Sequence, residues 1–128
     1  MKMIYHGIDL ADCRRIGKLL ERHGERFLQR VFTESEQAYS RRHRHRVERL
    51  AGRFAVKEAV MKMLGTGWRG EVAWTDIETR NDPLGKPEVY LQGETARLAR
   101  QLGIVKISVS ITHASDLAIA SVIAWSEE

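Results

Sequence analysis

The longest helical pattern in the sequence, over residues 47–64, constrains the fold more than any other feature. With each residue placed about 100° from the one before it, the apolar and small side chains fall within roughly 60° of one direction. They are Val47, Leu50, Ala51, Phe54, Met61 and Gly65. Gly65-Thr66-Gly67 ends the pattern, because glycine commonly terminates helices. We therefore expect the principal helix of the fold here.

The other segments predict strands and shorter helices. Asp12 is a suitable cap for a helix that runs to about His23 and ends at Gly24. Thr33 and Glu36 have the spacing of a capping box, which predicts the start of another short helix. We expect strands at residues 3–9, 71–80, 87–91, 104–112 and 117–125, a short apolar turn at 27–32, a polar turn at 81–85 and a helix at 94–102. Strands linked as hairpins and grouped apart from helices indicate an α+β fold.

Two of the strand patterns also predict which faces are buried. Residues 71–80 alternate, with Val72, Trp74, Asp76 and Glu78 on one face. The strands at 104–112 and 117–125 are apolar on both faces. Such strands occupy central positions in a sheet or are buried against another subunit.

Composition limits the class of protein. The chain has 128 residues and is 43% hydrophobic, which suits one domain over residues 1–128. No apolar run approaches the roughly 20 residues of a membrane span. The N-terminal segment lacks the apolar core and cleavage site of a secretory signal. Cys13 is the only cysteine, which excludes an internal disulfide and fits a reducing cytoplasm.

The positive charge is concentrated in the first half of the chain. The net charge is +4, and arginines are dense between residues 14 and 49. A basic region of this kind indicates an anionic partner, such as nucleic acid, phosphate or an acidic protein. It is equally compatible with a solvated basic surface, and we interpret the run Arg41 to Arg46 mainly in that way.

Three polar residues are candidates for a functional site. One lies on the apolar stripe of a helix, and two lie at the ends of predicted strands. Glu58 falls about 20° from the centre of the apolar stripe of the principal helix. Such a carboxylate is costly unless it is paired or metal-bound, and Lys62 four residues later could form a structural ion pair with it. Asp9 ends the first strand, where a turn or helix cap is the usual role. His113 ends the strand at 104–112 as either a core residue or a catalyst.

Several short segments occur in a characteristic order. They are Gly7-Ile8-Asp9 followed by Arg15-Ile16, Phe32-Thr33 with Glu36, Arg53 to Ala59 running on through Lys62 to Gly67, Asp76-Ile77-Glu78, Gly85-Lys86-Pro87 and Val109 to His113. In this order they resemble the short type of bacterial holo-acyl-carrier-protein synthases, within the phosphopantetheinyl transferase superfamily, over nearly the whole chain. Ala114 stands where the family usually has threonine, and Leu10-Ala11-Asp12 where it often has an apolar pair and a glutamate.

The resemblance implies a fold and a reaction. The fold is a mostly antiparallel sheet packed with one long and several short helices. The reaction transfers 4'-phosphopantetheine from coenzyme A to a serine of apo-acyl carrier protein, with Mg²⁺ and release of adenosine 3',5'-bisphosphate, and it supports fatty acid biosynthesis. Magnesium usually takes one or two carboxylates together with substrate phosphates and waters. Asp9 and Glu58 would supply them.

The resemblance also assigns the other site residues. Glu58, Lys62 and His113 would be catalytic, with the general base left open between His113, Glu58 and a metal-bound water. The coenzyme A contacts would be Arg53, Lys62, Gly65, Thr66, Gly67, Pro87 and His113. The carrier protein, which presents an acidic helix, would dock on Arg15, Leu19, Arg22, Arg26 and Phe27. Family members of this type are cytoplasmic homotrimers with active sites between subunits.

Three other interpretations remain possible at this point. A nucleic-acid-binding module would explain the basic first half, but it leaves Glu58 unexplained and lacks an aromatic stacking motif. A related transferase for peptide- or polyketide-synthase carriers would usually be about twice as long. An inactive scaffold on the same fold would not need Asp9, Glu58 and Lys62. We therefore expect no nucleic acid and no membrane among the partners.

Overall fold

A computed structural model describes residues 2–65 and 72–127. The elements of this part of the chain, in order, are β1 (Ile4–Asp12), α1 (Cys13–His23), α2 (Glu25–Val31), α3 (Glu34–Arg41), α4 (Arg46–Leu64), a 3₁₀ turn (Trp74–Asp76), β2 (Ile77–Asn81), β3 (Pro87–Leu91), α5 (Gly93–Gln101), β4 (Ile104–Ala114) and β5 (Leu117–Ser126). The helices and antiparallel strands make an α+β fold, as the sequence predicts.

The caps predicted for two of the short helices are present. The carboxylate of Asp12 accepts a hydrogen bond of 2.8 Å from the Arg14 amide at the start of α1. Gly24 ends that helix with a positive φ of 48°, which glycine adopts without steric cost. At α3 the Thr33 hydroxyl accepts from the Glu36 amide while the Glu36 carboxylate accepts from the Thr33 amide. This capping box is confirmed.

The larger sheet has the order β1-β5-β4, with every pair antiparallel. Its central strand is β5, which confirms a central position for one of the two strands that are apolar on both faces. The inner face of β5 consists of small buried side chains that pack on α4: Ala118, Ala120, Val122 and Ala124. The other such strand, β4, lies at the edge of this three-stranded sheet.

Helix α4 is the centre around which the other elements pack. From Leu50 to Leu64 its residues are buried, except for the half-buried Glu58 and the exposed Lys62. The apolar stripe predicted from the sequence therefore accounts for only part of the buried surface of α4. Strand β1 crosses the helix at Gly7, where an added Cβ would lie 2.0 Å from the Ala59 carbonyl oxygen. Only glycine permits this approach.

Several predicted elements are corrected by the structure. The first strand does not end at Asp9: β1 continues to Asp12, and Asp9 lies within it opposite Ala120 of β5. The segment predicted as a short apolar turn at 27–32 is mostly helix α2, with Phe27, Leu28 and Val31 buried on one side. Residues 72–76 are not strand, and residue 71 lies outside the described residues. The Asp76 carboxylate accepts a hydrogen bond of 3.2 Å from the Ala73 amide. This local bond favours a 3₁₀ turn over the extended conformation that the alternation predicts.

The outer face of the three-stranded sheet is exposed and partly apolar. Ile4, Ile8 and Leu10 of β1 are 73%, 52% and 56% exposed, and Ile123 of β5 is 42% exposed. Isolated exposed apolar residues are common, whereas a group of them on one sheet face is unusual for a surface in contact with water. Among the helices in the described part of the chain, none combines the length and hydropathy needed to cross a bilayer.

Candidate active site

A cavity of about 150 Å³ lies where α3, α4, β2, the turn after β2 and β4 meet. It brings together Arg53, Pro87 and His113, three of the residues that the resemblance assigns to coenzyme A. The full lining is Tyr39, Arg49, Gly52, Arg53, Asn81, Gly85, Pro87, Ile111 and His113. Among the described residues, the lining has two arginines and a histidine but no carboxylate, which suits an anionic ligand.

Arg53 lies deep in this cavity, with only 3% of its surface exposed. Its guanidinium lies 3.8 Å from the centre of the Tyr39 ring and donates a hydrogen bond to the Asn81 side-chain oxygen. Burial lowers the pKa of Arg53, and the positive charge of Arg49 lowers it further, while Tyr39 and Glu36 raise it. The arginine is thus held rigidly beside a second cation.

Three arginines of α4 have a buried Nε atom without a hydrogen-bond partner within the described residues: Arg46, Arg49 and Arg53. Their spacing of three and four residues places them along one side of the helix. A buried donor without a partner costs free energy, which a ligand oxygen would recover. Planar guanidinium groups match phosphate oxygens in geometry.

His113 is exposed, so the interpretation as a core histidine is wrong. Its Nε2 lies 3.0 Å from the Glu48 carbonyl oxygen, which can only accept, so Nε2 carries the proton of this bond. In the neutral ring, Nδ1 is then left as the acceptor. An added Cβ at Gly52 would lie 3.4 Å from His113 Nε2, so this glycine allows the ring to sit against α4.

His113 and Arg49 also line a second, adjoining hollow of about 230 Å³. The other residues around it are His45, Glu48 and Ser115. His45 Nδ1 lies 3.3 Å from the Glu48 carboxylate. Of the run Arg41 to Arg46, only His45 lines a hollow next to the cavity, while Arg41 to Arg44 are exposed.

Asp9, Glu58 and Lys62 lie where β1 meets α4. Lys62 Nζ is 3.0 Å from Asp9 Oδ1 and 3.2 Å from the Ile8 carbonyl oxygen, so Lys62 forms an ion pair with Asp9. Glu58 lies one turn before Lys62 and is half-buried. None of the three lines the cavity around Arg53.

The carboxylates of Asp9 and Glu58 fit a magnesium ion by their chemistry. The Asp9 carboxylate is paired with a cation in this structure, the Lys62 ammonium. Over residues 2–65 and 72–127, no three His, Cys, Asp or Glu side chains are grouped so as to bind a metal. Magnesium does not need such a cluster, because one or two carboxylates suffice when substrate phosphates and waters complete its shell.

The glycine-rich end of α4 is only partly described. Gly65 caps the helix with φ of 77°, and apart from its chain neighbours no atom of residues 2–65 or 72–127 lies within 4 Å of where its Cβ would be. This confirms the predicted end of the helix. Thr66 and Gly67, which the resemblance assigns to coenzyme A, lie outside the described residues.

The predicted carrier surface lies on α1 and α2. Arg15, Arg22 and Arg26 are exposed and Leu19 is half-buried, whereas Phe27 is buried with its ring 5.7 Å from that of Phe32. Phe27 lines a hollow of about 250 Å³ together with three basic residues, His23, Arg26 and Arg30. The surface is therefore basic around a small apolar floor.

Sequence reasoning missed several residues that shape the site. Arg49 was counted only as charge, although its spacing of four residues from Arg53 places both on one side of the helix. Tyr39 and Asn81 carried no signal of their own. The largest omission is Lys57, which is fully buried and donates a 2.7 Å hydrogen bond to the fully buried Glu36.

Comparisons with known proteins give one consistent family. Residues 6–122 match the model of the 4'-phosphopantetheinyl transferase superfamily. A holo-[acyl-carrier-protein] synthase of Solibacter usitatus is 48% identical over 117 residues, covering 91% of this chain and 94% of the relative. The crystal structure of the Neisseria meningitidis holo-[acyl-carrier-protein] synthase superposes with a TM-score of 0.87 at 35% identity, covering 98% and 100% of the two chains. The Helicobacter pylori enzyme in complex with coenzyme A gives 0.81 at 33% identity, covering 95% and 99%.

Proposed function

This chain belongs to the holo-[acyl-carrier-protein] synthases of the 4'-phosphopantetheinyl transferase superfamily, and from its site we infer how it performs their reaction. It transfers 4'-phosphopantetheine from coenzyme A to a serine of apo-acyl carrier protein and releases adenosine 3',5'-bisphosphate. The chemistry is a displacement at phosphorus, in which the main requirement is to position and neutralise negative charge.

The observation that carries this function is the arginine-lined cavity. Arg49 and Arg53 both line it. Within residues 2–65 and 72–127, both have a buried Nε without a partner, and no carboxylate lines the cavity. Coenzyme A has several phosphate groups, which would supply the missing acceptors. Pro87 and Gly85 form the opposite wall, and Gly85 with its φ of 91° lets the turn bend there. We assign this cavity to part of coenzyme A.

The rest of the cofactor site would come from a second copy of the chain. A cavity of about 150 Å³ is smaller than the roughly 300–1,000 Å³ of ordinary ligand pockets. Asp9, Glu58 and Lys62 lie outside its wall, although the reaction needs them at the diphosphate. The exposed apolar face with Ile4, Ile8 and Leu10 offers a surface for subunit contact. We propose a homotrimer with active sites between subunits.

Asp9 and Glu58 would hold Mg²⁺. When bound, the ion neutralises diphosphate charge and stabilises the leaving phosphate. Lys62 pairs with Asp9 and reaches the same region on an exposed side chain, so it can contact a cofactor phosphate and protonate the leaving group. His113 presents Nδ1 as an acceptor once Nε2 is bonded to the Glu48 carbonyl, which makes it a candidate for accepting the serine proton.

The basic surface of α1 and α2 would dock the carrier protein. Arg15, Arg22 and Arg26 are exposed on it, and Leu19 is partly exposed between them. Complementary charge with an acidic helix speeds association and sets orientation more than it adds affinity. Fatty acid biosynthesis in the cytoplasm is the process we propose for this activity.

The direct test is to incubate the protein with coenzyme A, Mg²⁺ and apo-acyl carrier protein, and to weigh the carrier by mass spectrometry. We expect the carrier to gain the phosphopantetheine mass, and the gain to vanish with a chelator or with Glu58→Gln. A matched control is Glu34→Gln, an exposed carboxylate at the start of α3, which should leave the rate unchanged. Loss of activity in the control, or full activity in Glu58→Gln, would contradict the metal assignment.

A further inference from the structure

The part of α4 next to the cavity contains a buried ion pair that the reaction itself does not use. Lys57 and Glu36 are both fully buried, on α4 and α3. Lys57 Nζ donates to Glu36 Oε1 at 2.7 Å, to the Trp74 carbonyl oxygen at 3.1 Å and to the Ile77 carbonyl oxygen. All three donors of the ammonium are therefore used.

Glu36 is equally well bonded. Its Oε1 accepts from the Thr33 amide at 3.0 Å as well as from Lys57. Its Oε2 accepts from the Thr79 amide at 3.0 Å. The pair thus joins α3, α4 and the start of β2 through charged hydrogen bonds, which are stronger than neutral ones.

The pair lies directly below the cavity, because the same three elements supply both. Tyr39 follows Glu36 by three residues on α3, and Arg53 precedes Lys57 by four residues on α4, so each shares a side of its helix with its neighbour. Asn81 follows Thr79 by two residues on β2 and lies on the same face. The inner layer of Glu36, Lys57 and Thr79 therefore supports a cavity layer of Tyr39, Arg53 and Asn81.

Contacts in the cavity layer depend on the register of these elements. The Arg53 guanidinium must reach the Tyr39 ring on α3 and the Asn81 side chain on β2 at the same time. Asn81 in turn donates a 2.9 Å hydrogen bond to the Gly85 carbonyl oxygen, which fixes the turn opposite Arg53. A shift of β2 relative to α4 would break these contacts together.

We propose that the Lys57–Glu36 pair is a positioning pair, which sets the register of α3, α4 and β2 so that Arg53 and Asn81 are held ready for coenzyme A. The inference rests on the proposed assignment of the cavity to coenzyme A. Buried ion pairs rarely add net stability over apolar side chains of the same size, because desolvation offsets their attraction. Their directional bonds instead select one arrangement of the elements that they join.

The test measures binding of coenzyme A to a double variant, Glu36→Gln with Lys57→Met, by titration calorimetry. Removing both charges avoids an unpaired buried ion, so the variant should fold. We expect a Kd for coenzyme A about tenfold above wild type, the lower end of the loss seen when groups that orient metal ligands are removed. The KM for coenzyme A should rise with it, while kcat stays within about twofold because Asp9, Glu58 and Lys62 are unchanged.

A control separates positioning from loss of stability. Ile16→Ala removes a side chain that is 1% exposed on α1 and does not line the cavity. It should lower the melting temperature and leave the Kd unchanged when both are measured well below unfolding. If the double variant instead unfolds, Glu36→Gln with Lys57→Gln, which also removes both charges but keeps a side-chain donor near the Trp74 and Ile77 carbonyls, is measured against the same expectation.

The Arg53→Met variant distinguishes a failure of the positioning proposal from a failure of the assignment of the cavity to coenzyme A. If wild type binds coenzyme A, Arg53→Met binds weakly and the Lys57–Glu36 variants bind as wild type does, the positioning proposal is wrong and the cofactor cavity stands. If Arg53→Met binds coenzyme A as tightly as wild type, the cavity assignment is wrong and the positioning proposal is wrong with it.

Discussion

Two groups of charged side chains lie one turn of α4 apart, Lys57 with Glu36 of α3 and Arg53 with Arg49, and they differ in how their hydrogen bonds are satisfied. Every charged atom of Lys57 and Glu36 has a partner within the fold. At Arg49 and Arg53, by contrast, a buried Nε has no partner in the described part of the chain. Buried polar groups are nearly always bonded in native proteins, so those that are not indicate a missing ligand. We call Lys57 with Glu36 the complete group, which the fold itself satisfies, and Arg49 with Arg53 the incomplete group, for which we propose a ligand partner.

Breaking the complete group of Lys57 and Glu36 should have the largest effect of all the predicted changes on the free energy of unfolding. Lys57→Met leaves the Glu36 carboxylate buried without its counter-ion, which costs about 3–5 kcal/mol of unfolding free energy. Urea denaturation of the wild type and variant measures this loss. The double variant with Glu36→Gln should recover part of it, because neither charge is then unpaired. Equal destabilisation by the single and double variants would show that the pair is not coupled.

The two groups also differ in how far the sequence revealed them. Lys57 was missed because its partner, Glu36, lies 21 positions away and because a single apolar stripe was assumed for a helix that is buried on nearly all sides. No local pattern marks such a residue. Arg53 was identified only by resemblance, and Arg49 could have been found from its helical spacing.

Local chemistry explains which parts of the fold were predictable. The caps at Asp12 and Thr33 were predicted because a capping bond forms within three residues of sequence. The turn at Trp74–Asp76 was not, because alternation alone could not show that Asp76 bonds back to the Ala73 amide. The cavity depends on contacts between α3, α4, β2 and β4, which no single segment encodes.

Removing a charge from the incomplete group should affect binding rather than folding. Hydrogen bonds to charged groups contribute about 1.5–3 kcal/mol, so Arg53→Met should raise the Kd for coenzyme A about 10- to 150-fold. Its unfolding free energy should change by less than about 1 kcal/mol, because a desolvated guanidinium is replaced by an apolar side chain. Calorimetry and urea denaturation give the two values. A large loss of stability with unchanged Kd would reverse the roles assigned to the two groups.

Arg49 sharpens the comparison, because it is more exposed than Arg53 and lines the cavity together with the adjoining hollow. Arg49→Met should raise the Kd for coenzyme A about fivefold, the scale of one hydrogen bond at the edge of a site. The salt dependence of binding should also decrease, because one phosphate contact is lost. Arg44→Met is the matched control, since Arg44 is exposed and lines neither space. Equal effects in the two variants would show that only general positive charge matters.

The smallest effect is expected at Gly52, where the helix and the cavity meet. An added Cβ would lie 3.2 Å from Ile111 Cγ2 and 3.4 Å from His113 Nε2, so both side chains must move slightly. Alanine favours the helix over glycine by about 0.5–1 kcal/mol, which offsets the crowding and leaves stability nearly unchanged. Because a small shift of the ring weakens the bond of His113 to the Glu48 carbonyl, we expect Gly52→Ala to lower kcat/KM about threefold, less than 1 kcal/mol in barrier height. Steady-state kinetics with apo-acyl carrier protein measures this, and an unchanged kcat/KM would show that the position of the His113 ring does not limit the reaction.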